Sequence, residues 1–353
     1  MDARRSDADS AVTPTRHRLS RRSSCRTFNT TKRPFLTSGV LTAPRISTVR
    51  RRPNVQQIGN DIDPDQLSLL VKDKWDLSHV TPLYNFRYTE LKAYAKSLSA
   101  FLLEEKQQGA DLIPGGDKVF AVTFSAVPGV AKTKDDAETV FIQVNSKAMF
   151  AAPGDAPKVM WRGWLTSVCA DPQYLQSLPP EFVCLPVLCS SGSESLTFLV
   201  KCWFERTFDC GFGALSLGPT DLQWLAALWT SCHADGRKIK SLKLKWTLPC
   251  QPPLDVSMAL DGEDTWWLWD RTRRQQHSQD ASYVYVEDVK DFMASIETHF
   301  YKHFKMHLSA GRLMSVATEV ASAHIDGKVK ICPEYLPSTM ELLTECAMHR
   351  MPI

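Results

Sequence analysis

No Cys-x-x-Cys pair occurs in the 353 residues, so the spacing used by most structural zinc sites is absent. The Gly-x-x-x-x-Gly-Lys-Ser/Thr phosphate cradle, the Gly-x-Ser-x-Gly nucleophile elbow and the His-Glu-x-x-His pair are also missing. These gaps remove the commonest local signatures of nucleotide hydrolysis, acyl transfer and zinc proteolysis. No run approaches the roughly 20 apolar residues needed to cross a bilayer. Behind Met1-Asp2-Ala3-Arg4-Arg5 there is no apolar stretch of the secretory type. The 10 cysteines, several in apolar settings such as Phe182-Val183-Cys184-Leu185, are therefore expected to be reduced core residues in a soluble intracellular protein. No internal repeat of fixed period is visible.

What is present is unevenly distributed. The chain carries 43% apolar residues and a formal charge of +3. Residues 1–60 hold 13 Lys and Arg against 3 acids, which leaves 29 basic and 36 acidic groups in the rest. The same 60 residues contain 15 Ser or Thr and only 17 apolar side chains, too few to offset the entropy of ordering them. All 10 tryptophans lie beyond residue 74. We expect a disordered basic arm over 1–60, an N-terminal α+β part over 61–195 and a C-terminal α+β part over 196–353. Arg21-Arg22 and Arg50-Arg51-Arg52 have the character of a nuclear-import signal or a phosphate contact, or of a merely solvated tail. Thr13, in Thr13-Pro14-Thr15-Arg16, fits a proline-directed kinase and is the phosphorylation candidate.

Asp63-Pro64 predicts a helix start, with Leu67, Leu69, Leu70 and Val71 following. Residues 75–86 look extended and irregular around Pro82. Leu91, Tyr94, Ala95, Leu98, Phe101 and Leu102 recur with helical period behind Thr89 as cap, up to Gly109. Residues 119–124, 140–144, 159–168 and 182–188 have strand composition. Their connections are too short for crossover helices, which favours antiparallel pairing. Helices are expected over 198–208, from Thr220 through Trp229, and from Val289 through Phe304. Strands are expected over 238–248, 254–260 and 281–286. Residues 313–323 and 328–331 flank Asp326-Gly327, a two-residue hairpin signal. The fold class is α+β with mostly antiparallel sheet and packed helices, ending in a C-terminal hairpin.

Three features point to chemistry or binding. His299, His303 and His307 stand at i, i+4 and i+8, the basis for an alternative reading as a histidine-dependent metalloenzyme. The outer two lie about 12 Å apart along a helix, too far to share one ion comfortably, and partial packing in the core is the simpler reading. Lys238, Lys240, Lys243 and Lys245 follow Arg237 with no acid between Asp235 and Asp255. On a strand, Leu242, Leu244 and Trp246 face a core, while Lys243 and Lys245 point outward, able to neutralise phosphates or simply to keep an edge strand soluble. The C-terminal hairpin carries small residues on one face. At a sheet edge its unpaired main chain is a template for strand addition by a partner; internal pairing is the alternative.

Several segments resemble the centromere protein L family of vertebrates. They are Thr81-Pro82-Leu83-Tyr84-Asn85-Phe86 with the helix after it, Thr207-Phe208-Asp209-Cys210 and Ala226-Ala227-Leu228-Trp229-Thr230. The likeness is densest from 299 to 331, in the block His303-Phe304-Lys305-Met306-His307 and on through Gly327-Lys328-Val329-Lys330-Ile331. The likeness spans about residues 60 to 350. It implies a non-enzymatic subunit of the constitutive centromere-associated network, located in the nucleus at the centromere and kinetochore and acting in chromosome segregation. The partners it implies are centromere protein N in a sheet-paired heterodimer, centromere protein C, the group containing centromere proteins H, I, K and M, and the centromeric nucleosome. Carried onto this chain, the partner edge falls in 311–332, at Leu313, Met314, Val316, Thr318, Val320, Ser322, Gly327, Val329 and Ile331. The family's DNA-facing groove makes Lys243, Lys245, Lys328 and Lys330 phosphate candidates, alongside Lys238 and Lys240 from the cluster. No cofactor, catalytic residue, metal, membrane or small-molecule substrate is expected.

Overall fold

The computed structural model describes residues 47–52, 62–107, 118–148, 157–232, 239–276 and 282–351, all within the compact unit Ala43–Ile353. In chain order the elements are β1 (Val49–Arg51), α1 (Pro64–Val71), β2 (Trp75–Val80), β3 (Leu83–Tyr84), α2 (Leu91–Gln107), β4 (Lys118–Val127), β5 (Thr139–Ala148) and β6 (Lys158–Thr166). Next come α3 (Pro172–Ser177), β7 (Phe182–Val183), β8 (Val187–Gly192), α4 (Glu194–Phe208), β9 (Phe212–Ala214), α5 (Pro219–Ser231), β10 (Ser241–Leu248) and β11 (Leu254–Asp261). The chain continues through α6 (Gly262–Gln276), β12 (Tyr283–Tyr285), α7 (Val286–Phe304), β13 (Arg312–Ala317), β14 (Ser322–His324), β15 (Lys328–Lys330) and α8 (Leu336–Met348).

Local chemistry sets most boundaries. The Asp63 carboxylate accepts the Asp65 N–H and Pro64 opens α1, as the sequence predicts. Ser193 caps α4, which therefore begins at Glu194, ahead of the expected residue 198. Helix α5 starts one residue before Thr220, with Pro219 in its first turn and the Asp221 carboxylate accepting the Gly218 N–H at 2.7 Å. Thr89 does not cap α2; it sits in a 3-10 turn, Tyr88–Glu90, that feeds the helix. The stretch 182–188 is split at Pro186: β7 pairs with β3, while β8 enters the main sheet.

One large antiparallel sheet organises the molecule, in the order β11-β10-β13-β14-β15-β2-β8-β6-β5-β4, with β9 also against β2. Strands β11, β10, β13, β14 and β15, all from 196–353, form one half of it, and β2, β8, β6, β5 and β4, all from 61–195, form the other; β9 alone crosses over, against β2. The extended stretch after Trp75 is β2, a central strand that joins the two halves.

Burial explains why strand patterns differ across the sheet. Val140, Ile142, Val144, Trp161, Leu165 and Leu188 pack with α2 and α4 on one face. Phe141, Trp164, Val187 and Cys189, on the opposite pleats of the same strands, join a second core with α5, α6, α7 and α8. Covered on both sides, β5, β6 and β8 read as nearly continuous apolar runs. Strand β10 is covered on one side only: Leu242, Leu244, Trp246 and Leu248 are buried, and the residues between them are not. The helix layer of α2 and α4 thus spans the β4–β8 half, and the outward residues of β10 to β15 belong to neither hydrophobic cluster.

The C-terminal hairpin takes a different form from the expected one. Residues 313–323 are not a single strand, because the Thr318 hydroxyl accepts the Ala321 N–H at 3.1 Å and Thr318 N–H donates to the Ala321 carbonyl. That turn separates β13 from β14. At Asp326-Gly327 only the glycine has positive φ, +82°, and the loop comprises residues 325–327, between the end of β14 at His324 and the start of β15 at Lys328. A three-residue loop with glycine in the left-handed position replaces the two-residue turn.

Candidate partner edge and lysine face

The strands carrying Leu313, Met314, Val316, Ser322 and Val329 are not at an edge. Strand β13 lies between β10 and β14, β14 between β13 and β15, and β15 between β14 and β2. Leu313, Val316, Gly327 and Val329 are therefore not an unpaired template. Their main chain is engaged within the molecule, and Leu313, Val316, Val329 and Ile331, which follows β15, are core residues. Thr318 and Val320 sit in the turn instead of a strand. An apolar, alternating pattern identifies a strand but not its neighbours, and that is why the edge was misplaced.

The open edge is β11. All eight of its residues pair with β10, from Ser241–Asp261 to Leu248–Leu254, without a register shift. Among the described residues no strand lies on its other side. Val256, Met258 and Leu260 are half-buried against the core, and Leu254 is 44% exposed. The strand contains no proline, lysine or bulge, the usual devices that discourage edge pairing. The opposite edge, β4, is treated differently: α2 lies against it, and the Ser99 hydroxyl donates to the Phe120 carbonyl at 2.6 Å.

The lysines are brought together by cross-strand register. Lys243 stands opposite Ala317, Ala317 opposite Ser322, and Ser322 opposite Lys330. Lys245 stands opposite Ser315, which stands opposite His324, while Lys328 faces Asp76. Opposed residues project to the same side of a sheet, so Lys243, Lys245, Lys328 and Lys330 share the bare face. Lys245 bridges to Asp255 at 2.7 Å, and this bond, with a second from Thr247, holds the exposed Asp255 carboxyl below its usual range. Lys240 precedes β10, and its N–H is held by Glu319 at 3.0 Å, away from these rows. Lys238 and Thr13 lie outside the described residues.

The bare face ends in a cleft of about 590 Å³ where α4 begins to cover the sheet, lined among others by Asp76, Ser78, Ser190, Phe198, Lys201 and Lys328. Lys201 donates to the Ser78 hydroxyl at 2.8 Å, and burial lowers its ammonium pKa. Phe198 is 59% exposed beside it. Sequence reasoning missed both, because Phe198 and Lys201 lie in an amphipathic helix whose outer face gives no sign of the strand beneath.

The histidines do not converge. Helix α7 stops at Phe304, where Lys305 turns left-handed, so His307 is off the helix and stacks on Tyr301 with centroids 4.3 Å apart. The His299 and His303 rings lie 4.8 Å apart, and all three histidines are exposed instead of packed in the core. No group of three metal-ligating side chains occurs among the described residues. Phe304, the last residue of α7, also leaves the core, at 60% exposure.

Among the described residues the antiparallel sheet thus presents one lysine-bearing face that α2 and α4 do not cover and one long edge, β11, without a strand partner. The family model described as centromere protein L matches residues 69–348. The chain is 54% identical to centromere protein L of Danio rerio over 317 residues, 90% of this chain and 86% of the relative. It is 39% identical to the Homo sapiens protein of that name over 316 residues, 89% of each, and 36% identical to the Gallus gallus protein over 291 residues, 82% and 83%. The chain belongs to the centromere protein L family. Membership sets it among the centromere and kinetochore proteins of chromosome segregation.

Proposed function

We propose that this chain is a non-enzymatic scaffold subunit of the constitutive centromere-associated network in the nucleus. It heterodimerises with centromere protein N by strand addition at β11, and its lysine face holds DNA phosphates beside centromere protein C, the H/I/K/M group and the centromeric nucleosome. The supporting observation is the eight-residue edge of β11, backed by core residues and left without a strand partner among the described residues. Strand addition there supplies main-chain hydrogen bonds and extends the apolar row of Val256, Met258 and Leu260 onto the partner. Co-expression of the two subunits followed by size exclusion tests the reading. One co-eluting 1:1 species is expected, and separate elution at micromolar concentration overturns it.

DNA contact by the lysine rows makes a second prediction. The assembled pair is expected to bind duplex DNA without sequence selectivity, with a log K against log[salt] slope of about −0.9 per phosphate neutralised. Replacing Lys243, Lys245, Lys328 and Lys330 by Ala should make that slope shallower by about 3.6 and weaken binding roughly 100-fold near physiological salt. Fluorescence anisotropy across a salt series measures both. An unchanged slope removes these lysines from the DNA surface.

A further inference from the structure

The root of the basic arm is seated in the body. Val49, Arg50 and Arg51 pair with Tyr285, Val284 and Tyr283, and the flanking Val286 N–H bonds to the Thr48 carbonyl at 2.9 Å. This register turns Arg50 inward to 3% exposure. Its Nη2 donates to Glu345 Oε2 at 2.6 Å, while Glu345 Oε1 accepts the Ser47 N–H at 2.6 Å. The guanidinium carbon lies 5.3 Å from the centroid of the Trp224 ring. A carboxylate beside an indole face selects a planar guanidinium over an ammonium. Glu341 supplies a second carboxyl; burial raises its pKa, and the charge of Arg50 opposes that rise.

The resident arginine uses this pocket incompletely. Its Nε and Nη1 are buried without a hydrogen-bond partner among the described residues. The ladder that holds it has three residues on each side, and it attaches to a strongly basic, Ser/Thr-rich segment with few apolar anchors. Arg52 adds a bond from its Nε to the Ser231 carbonyl at 2.6 Å, but a permanent tether in a core has its buried donors met, and Arg50 does not satisfy that rule. We propose that the Glu345–Glu341–Trp224 pocket, with the edge of β12, is a binding site for an arginine carried on an extended basic segment of another polypeptide, and that residues 47–52 are its displaceable occupant. Attachment in cis gives the resident strand an effective concentration near the millimolar range, so it excludes weak competitors and yields to a better-fitting one.

The test uses the full chain and a fluorescein-labelled peptide of residues 45–54. Arg50→Ala in the chain should raise peptide affinity at least 10-fold over the unaltered chain by vacating the pocket. Adding Glu345→Gln, or placing Ala at the Arg50 position of the peptide, should remove that gain, whereas Ala at the Arg51 position should not. Absence of any gain, or a gain indifferent to the Arg50 position, overturns the proposal. Should Arg50→Ala prevent folding, hydrogen exchange on the unaltered chain decides. Millimolar peptide should speed exchange at the Arg52 amide, which bonds to the Ser282 carbonyl, at least 10-fold; an unchanged rate overturns the proposal.

Discussion

Gly327→Val should strongly destabilise the whole chain. At φ +82° the residue occupies the left-handed region, where a β-branched side chain is strained by about 1–2 kcal/mol or more. A Cβ there would also lie 2.2 Å from the Leu215 carbonyl oxygen, a backbone atom with no room to yield. That carbonyl belongs to a segment tied on both sides: Leu215 N–H donates to the Leu77 carbonyl, and Leu217 N–H to that of Ile325. Gly327 itself accepts the Leu77 N–H at 2.9 Å, which joins the loop to β2 at the centre of the sheet. Relieving the clash therefore opens the junction between the two halves. We expect a loss of at least about 3 kcal/mol, a large share of the roughly 5–15 kcal/mol that holds a domain together. Circular dichroism should show a melting point lower by roughly 8 °C or more, or no cooperative transition. A shift below about 2 °C contradicts the packing described. A hairpin at a free edge would have lost its partner with the body intact; a central loop loses the body.

Val256→Lys should abolish co-elution with centromere protein N. Val256 is half-buried on the core side of β11, opposite Trp246. A lysine there can snorkel its ammonium past the edge, into the space an added strand would occupy. The chain itself should melt within a few degrees of the unaltered protein. Affinity should fall at least about 100-fold, equivalent to roughly 3 kcal/mol. Ser125→Lys, on the exposed side of the opposite edge strand β4, should leave the complex unaffected. If a folded Val256→Lys chain still co-elutes at micromolar concentration, β11 is not the junction.

These two results concern the same question, where the sheet ends, and it was the least legible feature of the sequence. The alternation of Leu242, Leu244 and Trp246 with Lys243 and Lys245 identified a strand with one wet face, and β10 has that face. Nothing in that pattern distinguished an edge strand from its neighbour, and β10 is enclosed by β11 and β13. Thr318 looked like a strand residue because threonine suits strands; its hydroxyl made a turn by satisfying two amides of its own backbone. The histidine spacing over 299–307 depended on a helix that ends at Phe304. The arginine triplet at 50–52 looked like a solvated signal, yet Arg50 is among the least exposed charged residues.

By itself the sequence determined what depends on near neighbours in the chain: strand and helix periods, the caps at Asp63 and Pro64, the α+β class, the composition of residues 1–60 and the family likeness. The tertiary structure alone decided which strands adjoin, which face α2 and α4 leave bare, and which edge stays open. The physical reason is that β pairing is made between residues far apart in sequence. Each strand's alternation fits many neighbours equally well, and only the closing of the whole sheet around its two cores selects one.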